Sequence, residues 1–159
     1  MILIADTSPL ISLIHLDKLE LLDQLFQEYY LPEAVWEELS NHQELAKFKK
    51  SLKTLSSKRK QLNSKYLLLT SIDKGEAEAI LLFKELKADF LLIDDKKARM
   101  IAEMESIICI GTLGVLYLAW KKGLLKNLKP SFSHLISQKR YYSIEIFNYF
   151  LDKTGEELF

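Results

Sequence analysis

Asp6 directly follows the apolar run Met1 to Ala5, and Asp94-Asp95 follow Phe90-Leu91-Leu92-Ile93 in the same way. Acids at the ends of apolar strands sit where open parallel sheets build their ligand crevices, although an aspartate there also suits capping of the next helix. Helical phase separates the two roles for the glutamates, because each residue turns about 100°. Glu38 falls three residues after Val35 and four after Ala34, beside an apolar face, while Glu37 points away. Glu76, four before Ile80 and seven before Phe83, rides an apolar stripe, whereas Glu78 aligns with Glu85 on the polar side. A carboxylate on a buried face is costly unless paired or bound to a cation, and no Arg or Lys occupies a matching inward position. Four segments therefore each aim an acid at one place, where like charges raise each other's pKa in the absence of a counter-ion. Hard oxygen ligands select Mg²⁺ or Mn²⁺. A site of that kind suits hydrolysis of a phosphodiester by a metal-activated water.

Other chemistries find less support. His15, His42 and His134 are widely separated, with no second His or Cys at zinc-ligand spacing. Cys109 is the only cysteine and lies in the apolar run Ile107 to Ile110, which excludes a disulfide framework and fits a core position in a reducing cytoplasm. Lys plus Arg equals Asp plus Glu at 22 each, so any affinity for nucleic acid must come from local clustering. With 159 residues, 48% hydrophobic and 28% charged, the chain has ordinary globular composition and is expected to fold as a single domain over residues 1–159. No apolar stretch reaches membrane-spanning length and the N-terminal run lacks a basic leader, so a soluble, cytoplasmic protein is expected.

The elements that must position these acids alternate along the chain. Short apolar strands are predicted at Ile2 to Ala5, Tyr29 to Leu31, Leu67 to Thr70, Phe90 to Ile93 and Ile107 to Ile110. Between them, helical spacing runs from Pro9 to Phe26 with a break near Asp17, and from Pro32 to Leu39 with the proline in the first turn. Further helices are predicted from cap candidates Ser71 to Asp73 through Leu86, from Lys96 to Met104, and from Thr112 as cap to Lys122, closed by Gly123. Residues 131–159 form a helical C-terminal extension with two short patterns, one starting near Ser143 and ending at Gly155. Alternation of unbroken apolar strands with helices predicts an α/β fold, a three-layer α/β/α sandwich on a mainly parallel sheet.

The stretches Ile4-Ala5-Asp6-Thr7-Ser8-Pro9-Leu10-Ile11, Leu31 to Leu39, Asp73 to Ile80, Leu91 to Arg99 and Ile110 to Leu116 resemble, in order and spacing, the PIN domain family of metal-dependent nucleases. The resemblance spans nearly the whole chain and is nearest to a prokaryotic branch similar to toxins of toxin–antitoxin pairs. It implies an endoribonuclease in which Asp6, Glu76 and Asp95 hold Mg²⁺ or Mn²⁺, with Glu38 as a further catalytic acid, Asp94 as the alternative to Asp95, and Thr7 or Ser8 as a neighbouring hydroxyl. It also implies an RNA substrate and a small antitoxin partner. The chain departs from many PIN toxins in having Glu76 where aspartate is usual and Ile93-Asp94 where a Thr or Ser precedes the last acid.

Lys47, Lys49, Lys50, Lys53, Lys58, Arg59, Lys60 and Lys65 form a basic stretch without an acid among them. A solvated helix face is the ordinary explanation of such a run, but its position after the Glu38 helix makes Lys58, Arg59 and Lys60 candidates for the RNA path. A phosphatase would need a second aspartate at the position of Ser8, and a receiver domain an inward lysine near Ile110-Gly111-Thr112. A PIN-like binding scaffold without catalysis is the remaining alternative, opposed by the filled acidic positions. The tail aromatics Tyr141, Tyr142, Phe147, Tyr149, Phe150 and Phe159 suit packing onto the sheet first and a partner or homodimer surface second.

Overall fold

A computed structural model describes residues 1–63, 71–140 and 142–159. Five parallel strands, β1 (Ile2–Ala5), β2 (Glu28–Pro32), β3 (Arg59–Lys60), β4 (Phe90–Leu92) and β5 (Cys109–Ile110), form one sheet in the order β3-β2-β1-β4-β5. Nine α-helices appear among the described residues: α1 (Thr7–His15), α2 (Leu21–Leu25), α3 (Glu33–Asn41), α4 (Lys49–Ser57), α5 (Lys74–Leu86), α6 (Lys96–Met104), α7 (Thr112–Lys121), α8 (Lys129–Ser137) and α9 (Ile144–Thr154). None is long and apolar enough to cross a membrane. The expected strand Leu67 to Thr70, together with Lys65 and Tyr141, lies outside the described residues.

The strands read as continuous apolar runs because both faces of the sheet are buried, and side chains alternate between two cores. Leu3, Ala5, Tyr29, Leu31 and Leu92 feed one core, shared with α1, α2 and α7 and closed by Phe132 and Leu135 of α8 and Phe147 and Leu151 of α9. Ile4, Leu91 and Ile93 feed the other, covered by Ala79, Ile80 and Leu82 of α5 and Ala98 and Ala102 of α6. The result is the three-layer α/β/α sandwich.

Strand order runs one way from β1 to β2 and the other way from β1 to β4. This reversal opens a crevice at the carboxyl ends of β1 and β4, the place where open α/β sheets bind ligands. The Asp6 amide donates to the Leu92 carbonyl at 2.9 Å, so the two strand ends are tied together at that point.

Local detail corrects some expectations and bears out others. Pro32 ends β2 and precedes α3 rather than sitting in its first turn. Thr112 is the first residue of α7, with Gly111 at the cap position. Of the basic stretch, Lys49, Lys50 and Lys53 lie on α4, and Arg59 and Lys60 form the edge strand β3. Asp73 caps α5 in a reciprocal box with Glu76, each side chain accepting the other's backbone N–H, at 2.9 and 3.2 Å. Helices α7 and α9 are followed by left-handed glycines, Gly123 and Gly155. Helices α1, α5, α6 and α8 instead run into left-handed non-glycine residues: Asp17, Lys87, Ser106 and Lys139.

Candidate metal centre

Each acid of the crevice is set there by a local feature of the chain. Asp6 follows β1 at the N-terminus of α1, yet its side chain makes no capping hydrogen bond to that helix. It is only 4% exposed. Burial raises its pKa to about 8; the adjacent Thr7 amide works the other way, and Glu76, Asp73 and Glu38 add further upward pressure. Glu76 is 8% exposed, and burial followed by the charge of Asp73 raises it to about 7 against the favourable Asp73 amide.

Glu38 has the expected phase on α3 but sits at the crevice mouth, exposed. Its carboxylate accepts from Thr7 Oγ1 at 2.6 Å, and partial desolvation of the carboxyl group, with the charge of Asp73, raises its pKa against that hydrogen bond. Gly75 lets α5 approach: a Cβ there would stand 2.6 Å from Glu38 Oε1. The same helix holds α3 from its other side, since Glu78 accepts the Ala34 amide at 3.0 Å. Glu78, assigned to the solvent side by phase, is thus the cap that α3 lacks locally.

The pair after β4 divides its labour. Asp95 caps α6 by accepting from the Ala98 amide at 2.8 Å. Asp94 accepts from the Thr112 amide at 2.8 Å, from Thr112 Oγ1 at 2.6 Å and from the Tyr142 hydroxyl at 2.5 Å. It thereby fastens β4 to the start of α7 and to the C-terminal extension. Gly111 permits this approach, because a Cβ there would lie 2.9 Å from Asp94 Oδ1.

A cavity of about 510 Å³ brings together Asp6, Glu38, Glu76, Asp94 and Asp95, with Thr7 and Ser8 beside them. Asp73, Lys96, Arg140 and Tyr142 also line it, and sequence reasoning assigned none of these four to the site. Asp73 carried a signal, the D-x-x-E spacing to Glu76, that reads first as a helix cap. Lys96 carried a positional signal, directly following Asp94-Asp95, whereas Arg140 and Tyr142 reach the crevice through tertiary packing. Lys58, Arg59 and Lys60 do not line the cavity: Lys58 pairs with Asp23 at 3.0 Å, Arg59 pairs with Glu33 at 3.3 Å, and Lys60 lies 4.8 Å from the centre of the Tyr30 ring.

The donor set is all carboxylate and hydroxyl oxygen, and among the described residues no cation forms an ion pair with Asp6, Glu38 or Glu76. A buried, uncapped carboxylate among other acids fits a hard divalent ion. The expected trio Asp6, Glu76 and Asp95 does not form a closed ligand shell, since among the described residues no three His, Cys, Asp or Glu side chains are arranged to hold an ion unaided. Mg²⁺ makes a lesser demand, as it retains several waters and takes one or two carboxylates.

An all-parallel sandwich with an acidic crevice at its topological switch point defines a class of α/β proteins built to bind a ligand at that rim. Within that class, the chain belongs to the PIN domain family: the family model DUF3368, described as a PIN domain, matches residues 2–156. PIN domains are generally nucleases and typically use divalent metals. No curated protein and no solved structure matches the chain.

Proposed function

We propose that this protein is a metal-dependent endoribonuclease that hydrolyses RNA phosphodiesters at the Asp6 crevice, and that it is the toxin of a toxin–antitoxin pair. The observation that carries the nuclease reading is Asp6, buried, uncapped and surrounded by acids that would repel it without a cation. Asp6 and Glu76 would hold Mg²⁺ or Mn²⁺, with Asp95 contributing from the α6 cap. Such an ion supplies Lewis acidity toward a phosphodiester and makes a nucleophilic water accessible near neutral pH.

The side chains have separate tasks. Glu38, oriented by Thr7, is a proton acceptor at the crevice mouth, and partial desolvation of its carboxyl group raises its pKa above the ordinary value. Lys96 and Arg140 line the same cavity and would hold the phosphates of an incoming strand against the acidic field. Asp94 keeps the β4 end, α7 and Tyr142 in register and so fixes the crevice wall. The toxin role and its small antitoxin rest on family resemblance; a short adjacent reading frame whose product suppresses the chain's growth arrest would support them.

The nuclease reading is tested by incubating single-stranded RNA with the protein in Mn²⁺ or in EDTA. Cleavage should require the metal, and Asp6→Asn and Glu76→Gln should each lower the rate by about 100-fold or more, equivalent to about 2.7 kcal/mol of transition-state stabilisation. A folded wild-type chain that leaves RNA intact in Mn²⁺, as its Asp6→Asn variant does, would instead favour a binding scaffold.

A further inference from the structure

A second cavity, of about 590 Å³, opens beside the acid crevice, and Asp94, Lys96 and Tyr142 form the wall common to both. Its lining is of another kind. Ile110 and Leu113 border it on one side and Ile146 and Phe150 of α9 on the other, while Arg99 supplies a guanidinium. Volumes of this size accommodate small organic groups, and apolar walls with a few placed polar groups suit a largely apolar ligand with a hydrogen-bonding edge, which a nucleobase is.

The walls are held in place by contacts already present. The Tyr142 hydroxyl is fixed by Asp94 at 2.5 Å, and its ring packs edge-on against Phe147 at 5.7 Å. Arg99 is held between Glu103, at 2.9 Å, and the Cys109 carbonyl, at 3.1 Å, so its planar group is oriented before anything binds. Lys96 stands on the boundary between the cavities, where the phosphate joining one nucleotide to the next would lie if an RNA strand occupied the acid crevice.

We infer that the second cavity is a nucleobase subsite, which takes the base of a nucleotide neighbouring the scissile phosphate while Lys96 holds the phosphate between them. This inference rests on the nuclease reading for its placement of the strand. Stacking on aromatic side chains tolerates different bases, so the subsite selects single-stranded over paired nucleic acid more than it selects sequence.

The test is a titration of methyl-labelled protein in metal-free buffer, followed by NMR, with AMP, CMP, GMP and UMP as probes and ribose 5-phosphate and inorganic phosphate as controls. The four nucleotides should shift the Ile110, Leu113 and Ile146 methyls, and the two controls should leave them in place. Ile146→Trp, at a position 42% exposed on α9, pushes an indole into the space proposed for the base and should weaken nucleotide binding by about tenfold or more through steric exclusion. Nucleotides that leave those methyls unmoved, ribose 5-phosphate that shifts them as strongly, or a folded Ile146→Trp variant with unchanged affinity would each overturn the subsite. If that variant does not fold, the comparison of nucleotides with ribose 5-phosphate still decides. A chain that cleaves RNA but ignores nucleotides loses only the subsite; one that binds nucleotides but cleaves no RNA loses the nuclease reading instead.

Discussion

At the proposed metal site a proton would compete with a divalent cation for Asp6. Burial holds its pKa near 8, and that of Glu76 near 7, against ordinary values of 3.8 and 4.5. The fold therefore retains protons that the unfolded chain has released, and stability must fall as pH rises between about pH 5 and about pH 8 in metal-free solution. Thermal melts across that range in EDTA should show the decline, and Mn²⁺ should reverse it more strongly at the alkaline end. Asp6→Asn should flatten the profile and raise the melting temperature at the alkaline end, with each 1 kcal/mol recovered worth roughly 2–4 °C. A variant that melts lower than wild type at alkaline pH in EDTA would contradict the burial argument. At this scale the sequence was partly legible. Phase alone singled out Glu76 on a buried stripe, but it could not show that Glu38, on the right face, stands at the mouth, exposed. Nor could it tell whether Asp6 caps its helix, because capping depends on a side-chain torsion that neighbouring residue types leave open.

Between elements, the packing of α3 on α5 sets the crevice width. Gly75→Ala would place a methyl 2.6 Å from Glu38 Oε1, so α5 must retreat or Glu38 must leave Thr7. RNA cleavage should fall by about tenfold or more, equal to about 1.4 kcal/mol in the barrier, with little change in circular dichroism. Glu78→Ala would strip the remote cap from α3 and cost about 1 kcal/mol in denaturant melts. Strand and helix identities followed from periodicity, because buried parallel strands and amphipathic helices leave different apolar spacings. The caps were less legible. Thr112 has the residue type of a cap yet donates to Asp94 as the first residue of α7, and the acid that serves α3 comes from a helix 44 residues along the chain. Arg140 was illegible for a similar reason, since nothing local in its segment marks a position that only packing brings to the crevice, whereas Lys96 was indicated by its place directly after Asp94-Asp95.

For the molecule as a whole, the C-terminal helices belong to the same core as the first strand. Phe132, fully buried against Phe147 with ring centres 4.9 Å apart, couples α8 to α9, and Phe132→Ala should cost about 3–5 kcal/mol of unfolding free energy. The chain carries no net charge, so RNA affinity should depend on a few local cations rather than on the overall field. Replacing Lys96 and Arg140 with Gln should shallow the plot of log affinity against log salt by about 0.7 for each phosphate that is no longer neutralised. Asp17, Lys87, Ser106 and Lys139, with φ between 50° and 61°, adopt a conformation that costs an L-residue roughly 1–2 kcal/mol and that glycine accepts freely. All four are exposed and none lines the acid crevice. After the entropy glycine adds to the unfolded chain, each exchange should still return a few tenths of a kcal/mol. The four together would give a sturdier chassis in which disabled crevice variants stay folded, so that a failure to cleave can be separated from a failure to fold.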